Sequence, residues 1–148
     1  YPIFTTRFVL DAEPTKAASL IVEQPDFGTD ILCSAIMDFP GDRHLNFTCS
    51  TQAQLHQRMV FQGTEGRLEL KVPFNPYPGL QDPEIVLYPG AALGDAHGER
   101  IEVENLDQYR LQVETMNRAI LGEEAWSIPR SDIMAQARAV EMVFNSRI

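Results

Sequence analysis

Cysteine is scarce in this chain: 148 residues contain only Cys33 and Cys49, with no Cys-x-x-Cys pair and no His-x-x-x-His. That spacing gives a structural zinc site no ligand set, and two cysteines do not make the disulfide framework of a small secreted domain. Both lie in segments that alternate like strands, where a free thiol behaves as a small hydrophobe or stands beside a neighbour across a strand pair. A reduced, cytoplasmic chain is the expectation, and the Asn46-Phe47-Thr48 sequon would be used only in a secretory compartment. Basic residues are also few, 12 Lys and Arg against 21 Asp and Glu for a formal charge of -9. Such a surface repels phosphate backbones, so nucleic acid is excluded as a partner. Apolar runs stop far short of the roughly 20 residues that cross a bilayer, which excludes a membrane span.

Several catalytic signatures are missing as well. No Gly-x-Gly-x-x-Gly and no P-loop occurs, so nothing in the chain cradles a pyrophosphate at a helix N-terminus, and no coenzyme is expected to bind this chain alone. No Gly-x-Ser-x-Gly elbow occurs and only His44, His56 and His97 are present, which leaves a Ser or Cys nucleophile without a visible base. The start, Tyr1-Pro-Ile-Phe-Thr-Thr-Arg-Phe, lacks an initiator Met and a signal-peptide pattern, and reads as a cut end.

What is present is the composition of a folded domain: 44% hydrophobic and 22% charged residues, close to the globular average. The length fits one domain over residues 1–148. Phe4 and Phe8 share a helical face at i and i+4, and Pro14 closes that helix by disfavouring the α conformation at Glu13. Thr15 to Glu23, Ile31 to Phe39 and His44 to Ser50 then read as an antiparallel meander, separated by Asp26-Phe-Gly-Thr-Asp30 and Pro40-Gly41-Asp42. Met59 to Gln62 and Arg67 to Val72 flank Gly63-Thr-Glu-Gly66, a hairpin. In its second arm Leu68, Leu70 and Val72 are expected to meet a core while Arg67, Glu69 and Lys71 face water or a partner. Pro73-Phe-Asn-Pro-Tyr-Pro-Gly79 is too rich in proline for a ladder, and short strands at Glu84 to Tyr88 and Arg100 to Val103 bracket a Gly90-to-Gly98 loop.

Two amphipathic helices close the chain. From Leu106 to Leu121 the stripe is Tyr109, Val113, Met116 and Ile120, with Asn105 or Asp107 as N-cap and Gly122 as stop. The last helix carries Ile133, Ala137, Val140 and Phe144 at helical spacing. Both stripes are expected to be core, with the two helices on one face of the sheet.

The order and spacing of Tyr1-Pro-Ile-Phe-Thr-Thr-Arg-Phe-Val-Leu10, Glu13-Pro14, Asp26-Phe-Gly-Thr-Asp30, Phe47-Thr-Cys-Ser-Thr51, Gly63-Thr-Glu-Gly66, Pro73-Phe-Asn-Pro76 and the two final helices resemble the C-terminal half of Gfo/Idh/MocA oxidoreductases. The likeness is to the branch that includes NADP-dependent xylose dehydrogenases and dimeric dihydrodiol dehydrogenases. It implies an α+β fold, an open, predominantly antiparallel sheet with helices on one face, of the type found in the C-terminal domain of glyceraldehyde-3-phosphate dehydrogenase. The N-terminal Rossmann domain that holds NAD or NADP would lie outside this chain. In that branch an Asp, a Gly and then a Tyr open the C-terminal domain, and the phenol manages the substrate proton. Tyr1 matches that Tyr; the Asp, the Gly and the Lys of a Glu-Lys-Pro signature would precede it. A phenol with an ordinary pKa of about 10 serves at neutral pH only beside a cation, and that Lys would supply it.

Phe74, Asn75 and Tyr77 are the second candidates, a stiff aromatic and polar segment suited to walling a cleft for a sugar-like molecule. The functional expectation is the substrate-binding and oligomerisation half of an NAD(P)-dependent oxidoreductase acting on a sugar, polyol or related diol, inactive alone and paired with its copy through the sheet. The rival is a non-catalytic ligand-binding or scaffold domain built on the same sheet.

Overall fold

The computed structural model describes residues 1–76, 82–90, 94–104 and 106–148. Its elements run α1 (Pro2–Leu10), β1 (Lys16–Gln24), β2 (Thr29–Phe39), β3 (Arg43–Ser50), β4 (Arg58–Gly63), β5 (Gly66–Lys71), β6 (Glu84–Pro89), β7 (Glu99–Ile101), α2 (Gln108–Leu121) and α3 (Arg130–Asn145). They form an α+β fold with two antiparallel sheets, ordered β1-β2-β3 and β4-β5-β6-β7. Contacts group the chain into two compact units, Tyr1–Gln54 with Ser127–Ile148, and Leu55–Trp126.

In the first unit, Pro2 sits in the opening turn of α1 and Asp11 ends it in the left-handed region at φ 45°, a conformation that Asp tolerates better than most residues. The register Ala17↔Met37, Ser19↔Ala35 and Ile21↔Cys33 continues as Met37↔Leu45, Ala35↔Phe47 and Cys33↔Cys49. These residues share one face because side chains alternate along a strand. Met37, Phe39 and Leu45 on β2 and β3 form a core with Ile3 of α1 and Ala139 and Val143 of α3. Each large side chain buried there contributes about 1.5–3 kcal/mol. The C-terminal end of α3 is tied to β1 by Ser19, whose hydroxyl donates to the Val143 carbonyl at 2.6 Å and whose N–H donates to Ser146 O at 2.9 Å.

The buried face of α3 is Ala135, Ala139 and Val143. The expected stripe of Ile133, Ala137, Val140 and Phe144 is exposed. Both sets have helical spacing, and the small one is inside because alanines let the helix approach a sheet that supplies bulk through Met37 and Phe39. Likewise α1 turns Ile3, Thr6 and Arg7 inward and leaves Phe4 and Phe8 exposed. Cys33 is buried and Cys49 exposed, and both thiols are free.

In the second unit, Gly63 pairs with Gly66 around a two-residue turn. Gly66, at φ 150°, lies so close to Tyr88 O that a Cβ would collide with it, and this close approach restricts the position to glycine. The alternation expected of β5 does not hold. Glu69 is the buried residue at 3% exposure, flanked by Val60 on β4 and Val86 on β6, while Val72 leaves the strand at φ 49°. Glu69 is tolerated inside because Arg58 donates to its carboxylate at 2.9 Å, and a buried charge needs such a partner. Around it Lys71 pairs with Glu84 at 3.2 Å and Arg67 lies 3.8 Å over the Tyr88 ring while bridging to Asp95. Their aliphatic stems cover a face that reads as wet from residue type alone.

The expected cap of α2 is present: Asp107 accepts from the N–H groups of Tyr109 and Arg110, and Gly122 stops the helix at φ 74°. Asn105 lies outside the described residues. No residue of α2 is buried, so the stripe of Tyr109, Val113, Met116 and Ile120 is not core. An apolar stripe states that a helix face is fit to be covered, without specifying by what.

Candidate functional site

Tyr1 stands at the N-cap of α1 and is 72% exposed within residues 1–148. Its carbonyl accepts the Thr5 N–H at 3.0 Å and the Thr5 hydroxyl at 3.2 Å. The phenol is thus presented from the first turn of a helix whose opposite side is fixed in the unit.

That fixing centres on Arg7, whose side chain is 4% exposed. Its Nε and Nη2 donate to the two Glu13 carboxylate oxygens at 2.8 and 2.7 Å, Nη2 also to Asp132 Oδ1 at 2.6 Å, and Nη1 to Gln136 Oε1 at 3.0 Å. A planar fork matched to a carboxylate is the strongest common ion-pair geometry. The hydrogen bond to Glu13 holds the Arg7 guanidinium more firmly charged than usual, against the opposing effect of burial. The same bond holds the Glu13 carboxyl below its ordinary value.

A carboxyl whose folded pKa is depressed stabilises the fold above its unfolded pKa, and that contribution disappears as pH falls through the folded value. Thermal midpoints are therefore expected to drop on acidification below about pH 4.5, the ordinary value of this carboxyl. Glu13→Gln should flatten part of that slope. Calorimetric melts of both proteins from neutrality down to about pH 3 check this, and parallel slopes would refute it.

Phe74 and Asn75 begin the proline-rich excursion in the second unit. Gln57 organises it: its side-chain oxygen accepts both the Phe74 and Asn75 N–H groups at 3.2 and 3.1 Å, and its backbone oxygen accepts the Val72 N–H at 3.3 Å. Val72, a β-branched residue at positive φ, redirects the chain out of β5, a conformation that persists only where surrounding bonds hold it. Phe74 is half-buried and Asn75 exposed, while Tyr77 lies outside the described residues. Tyr1 belongs to the first unit and Phe74 and Asn75 to the second. Gln57 went unnoticed in the sequence, where a Gln before a strand carries no signal. Arg7 is marked in the sequence only by Glu13-Pro14 six positions on, the local half of a clamp that Asp132 and Gln136 complete.

On the β1–β3 face away from α1 and α3, an open groove of about 320 Å3 is lined by Leu20, Ser34, Ile36, Asn46, Thr48 and Ile148. Ser34 and Thr48 share a hydrogen bond of 2.9 Å across the strands, and Leu20 and Ile36 are each 59% exposed. None of the lining side chains ionises, so the groove offers contact surface and no proton-transfer group. Among the described residues no cluster of three His, Cys, Asp or Glu could hold a metal ion, and no helix is long and apolar enough to cross a membrane.

The sequence pattern of the GFO/IDH/MocA C-terminal domain matches residues 1–69. Over residues 1–69 the chain carries this family's C-terminal domain. It is 41% identical over 120 residues to an uncharacterized oxidoreductase of Rhizobium meliloti, covering 81% of this chain and 36% of that protein. It is 32% identical over 80 residues to the D-xylose 1-dehydrogenase [NADP(+)] of Haloarcula marismortui, covering 52% of this chain and 22% of the relative. The chain thus spans about a third or less of the curated relatives it matches. Among solved structures, a 3-ketoreductase from Actinomadura kijaniata in complex with TDP-benzene and NADP superposes with a TM-score of 0.81 at 21% identity, over 99% of this chain and 45% of that one. At that identity the likeness establishes a shared fold.

Proposed function

We propose that this Gfo/Idh/MocA domain, residues 1–148, works as the substrate-binding and oligomerisation half of an NAD(P)-dependent oxidoreductase acting on a sugar, polyol or related diol. The coenzyme is carried by a Rossmann domain that precedes it, since no glycine-rich turn for a pyrophosphate occurs in this chain. The observation that carries the reading is the exposed Tyr1 phenol at the head of a helix locked from behind by Arg7. The nicotinamide, when bound, supplies the hydride acceptor or donor. Tyr1 then takes or gives the proton on the substrate oxygen, with a cation from the preceding domain lowering its pKa toward neutrality. By residue type, Phe74, Asn75 and Tyr77 suit the apolar CH faces and hydroxyls of a sugar-like molecule. The open face of β1–β3, where Leu20, Val22, Leu32 and Ile36 are exposed, pairs with its copy about a twofold axis. The cytoplasm, with its NAD(P) pool, is the compartment that suits this chemistry.

The test compares the complete reading frame with the chain alone. Nicotinamide absorbance is followed with NAD and NADP against a panel of aldoses, polyols and vicinal diols, and light scattering is run on the same preparations. Turnover by the complete protein only, as a dimer, is the expected result. Tight stoichiometric NAD(P)H binding by the chain alone removes the division of labour, and a monomer at every concentration removes the twofold pairing. A reading frame without a nucleotide-binding half supports the scaffold alternative.

A further inference from the structure

We propose that Arg7 is a positioning residue for Tyr1: its guanidinium, clamped between Glu13, Asp132 and Gln136, sets where α1 holds the phenol. This rests on the proton-transfer reading of Tyr1. Three stretches meet on one side chain: α1 itself, the connection that follows it through Glu13, and, from more than a hundred positions away, the first two turns of α3 through Asp132 and Gln136. The other inward residues of α1 do not do the same job. Ile3 makes apolar contact in the core, and such contact has no direction, so it resists removal of the helix but hardly its rotation or sliding. The Thr6 hydroxyl is buried without a hydrogen-bond partner.

The guanidinium fork is directional, because its donors lie in one plane and its acceptors sit both on the α1–β1 connection and on α3. At the far end, the Leu10 carbonyl accepts from Arg43 at 3.3 Å, so α1 is pinned by polar contacts at its middle and tail. Tyr1 lies six residues before Arg7, about 9 Å along the axis at 1.5 Å per residue. Tilting a lever of that length by about 10° moves the head by about 1.5 Å, enough to spoil proton transfer, for which misplacement by about 1 Å can lower a rate a hundredfold.

The experiment is a double-mutant cycle in the complete protein, using Tyr1→Phe, Arg7→Lys and both together, assayed on whichever aldose, polyol or diol of the panel is turned over fastest. Lys keeps the buried charge but cannot reach all the acceptors. Arg7→Lys is expected to lower kcat about tenfold or more with the coenzyme KM unchanged and the protein folded by circular dichroism at the assay temperature. In the Tyr1→Phe background it should change kcat less than about twofold, because no phenol is left to place. If Arg7→Lys does not fold, Gln136→Met removes one acceptor at similar volume and should show a smaller loss with the same disappearance in the Tyr1→Phe background. A loss that multiplies equally in both backgrounds, or a folded variant with unchanged kcat, overturns the positioning role while leaving Tyr1 intact. An unchanged rate in Tyr1→Phe itself overturns the reading of Tyr1 and this inference with it.

Discussion

Tyr1→Phe in the complete protein is expected to lower kcat by two to four orders of magnitude, roughly 3 to 5 kcal/mol of transition-state stabilisation, and to leave coenzyme affinity nearly unchanged. The substitution deletes one oxygen. The helix it heads should not notice, because Tyr1 caps α1 through its backbone carbonyl, which accepts from Thr5. Within residues 1–148 Tyr1 is 72% exposed, so loss of its hydroxyl changes the stability of this domain by no more than about 0.5 kcal/mol. The expected signature is therefore kinetic: a depressed kcat, an unaltered melting temperature, and loss of the limb of the pH–rate profile that belongs to the phenol. Steady-state rates across pH with wild type and variant decide it. A variant whose rate and profile match wild type would show that another group moves the proton.

Phe39→Ala is expected to destabilise the first unit by about 3–5 kcal/mol, while Phe144→Ala changes stability by less than about 1 kcal/mol. Phe39 is 1% exposed in the core with Met37 and Leu45, whereas Phe144 is 38% exposed on the outer side of α3. Truncating Phe39 removes its burial and leaves a cavity that the surrounding sheet and helix residues cannot collapse to fill. Phe144 loses only partial contact. In thermal unfolding the first change should lower the midpoint by more than about 10 °C. Comparable shifts for the two phenylalanines would mean that α3 packs by the face carrying Ile133, Val140 and Phe144.

That contrast shows where sequence reasoning stops. The helical period in α3 is satisfied twice, by Ile133, Ala137, Val140 and Phe144 and by Ala135, Ala139 and Val143, and hydrophobicity favours the first set. The second is buried, because closeness of approach to a sheet already carrying Met37 and Phe39 outweighs the apolar area of the helix's own side chains. In α2 the period, cap and stop were all legible, yet the stripe is uncovered. Glu69 reads as a solvent-facing residue of β5 by alternation, and only the cross-strand partners Val60 and Val86 and the reach of Arg58 make it an interior residue. Of the candidate site, Tyr1, Phe74 and Asn75 were nameable in advance. Arg7 and Gln57, which hold their segments, were not, since a clamp is defined by acceptors as far away as Asp132 and Gln136.

By itself the sequence determined what is local: strand alternation in β2 and β3, the Gly63-to-Gly66 turn, the Asp107 cap and the Gly122 stop. These follow from backbone sterics and hydrogen bonds within a few residues of each other. Tertiary structure alone decided which helix faces are inside, that an acid sits within the second sheet, and that one guanidinium joins α1 to α3. Burial and ion pairing depend on neighbours set by the fold, across a strand pair for Glu69 with Arg58 and Val86 and 125 positions away for Arg7 with Asp132, and a residue's own local pattern does not specify them.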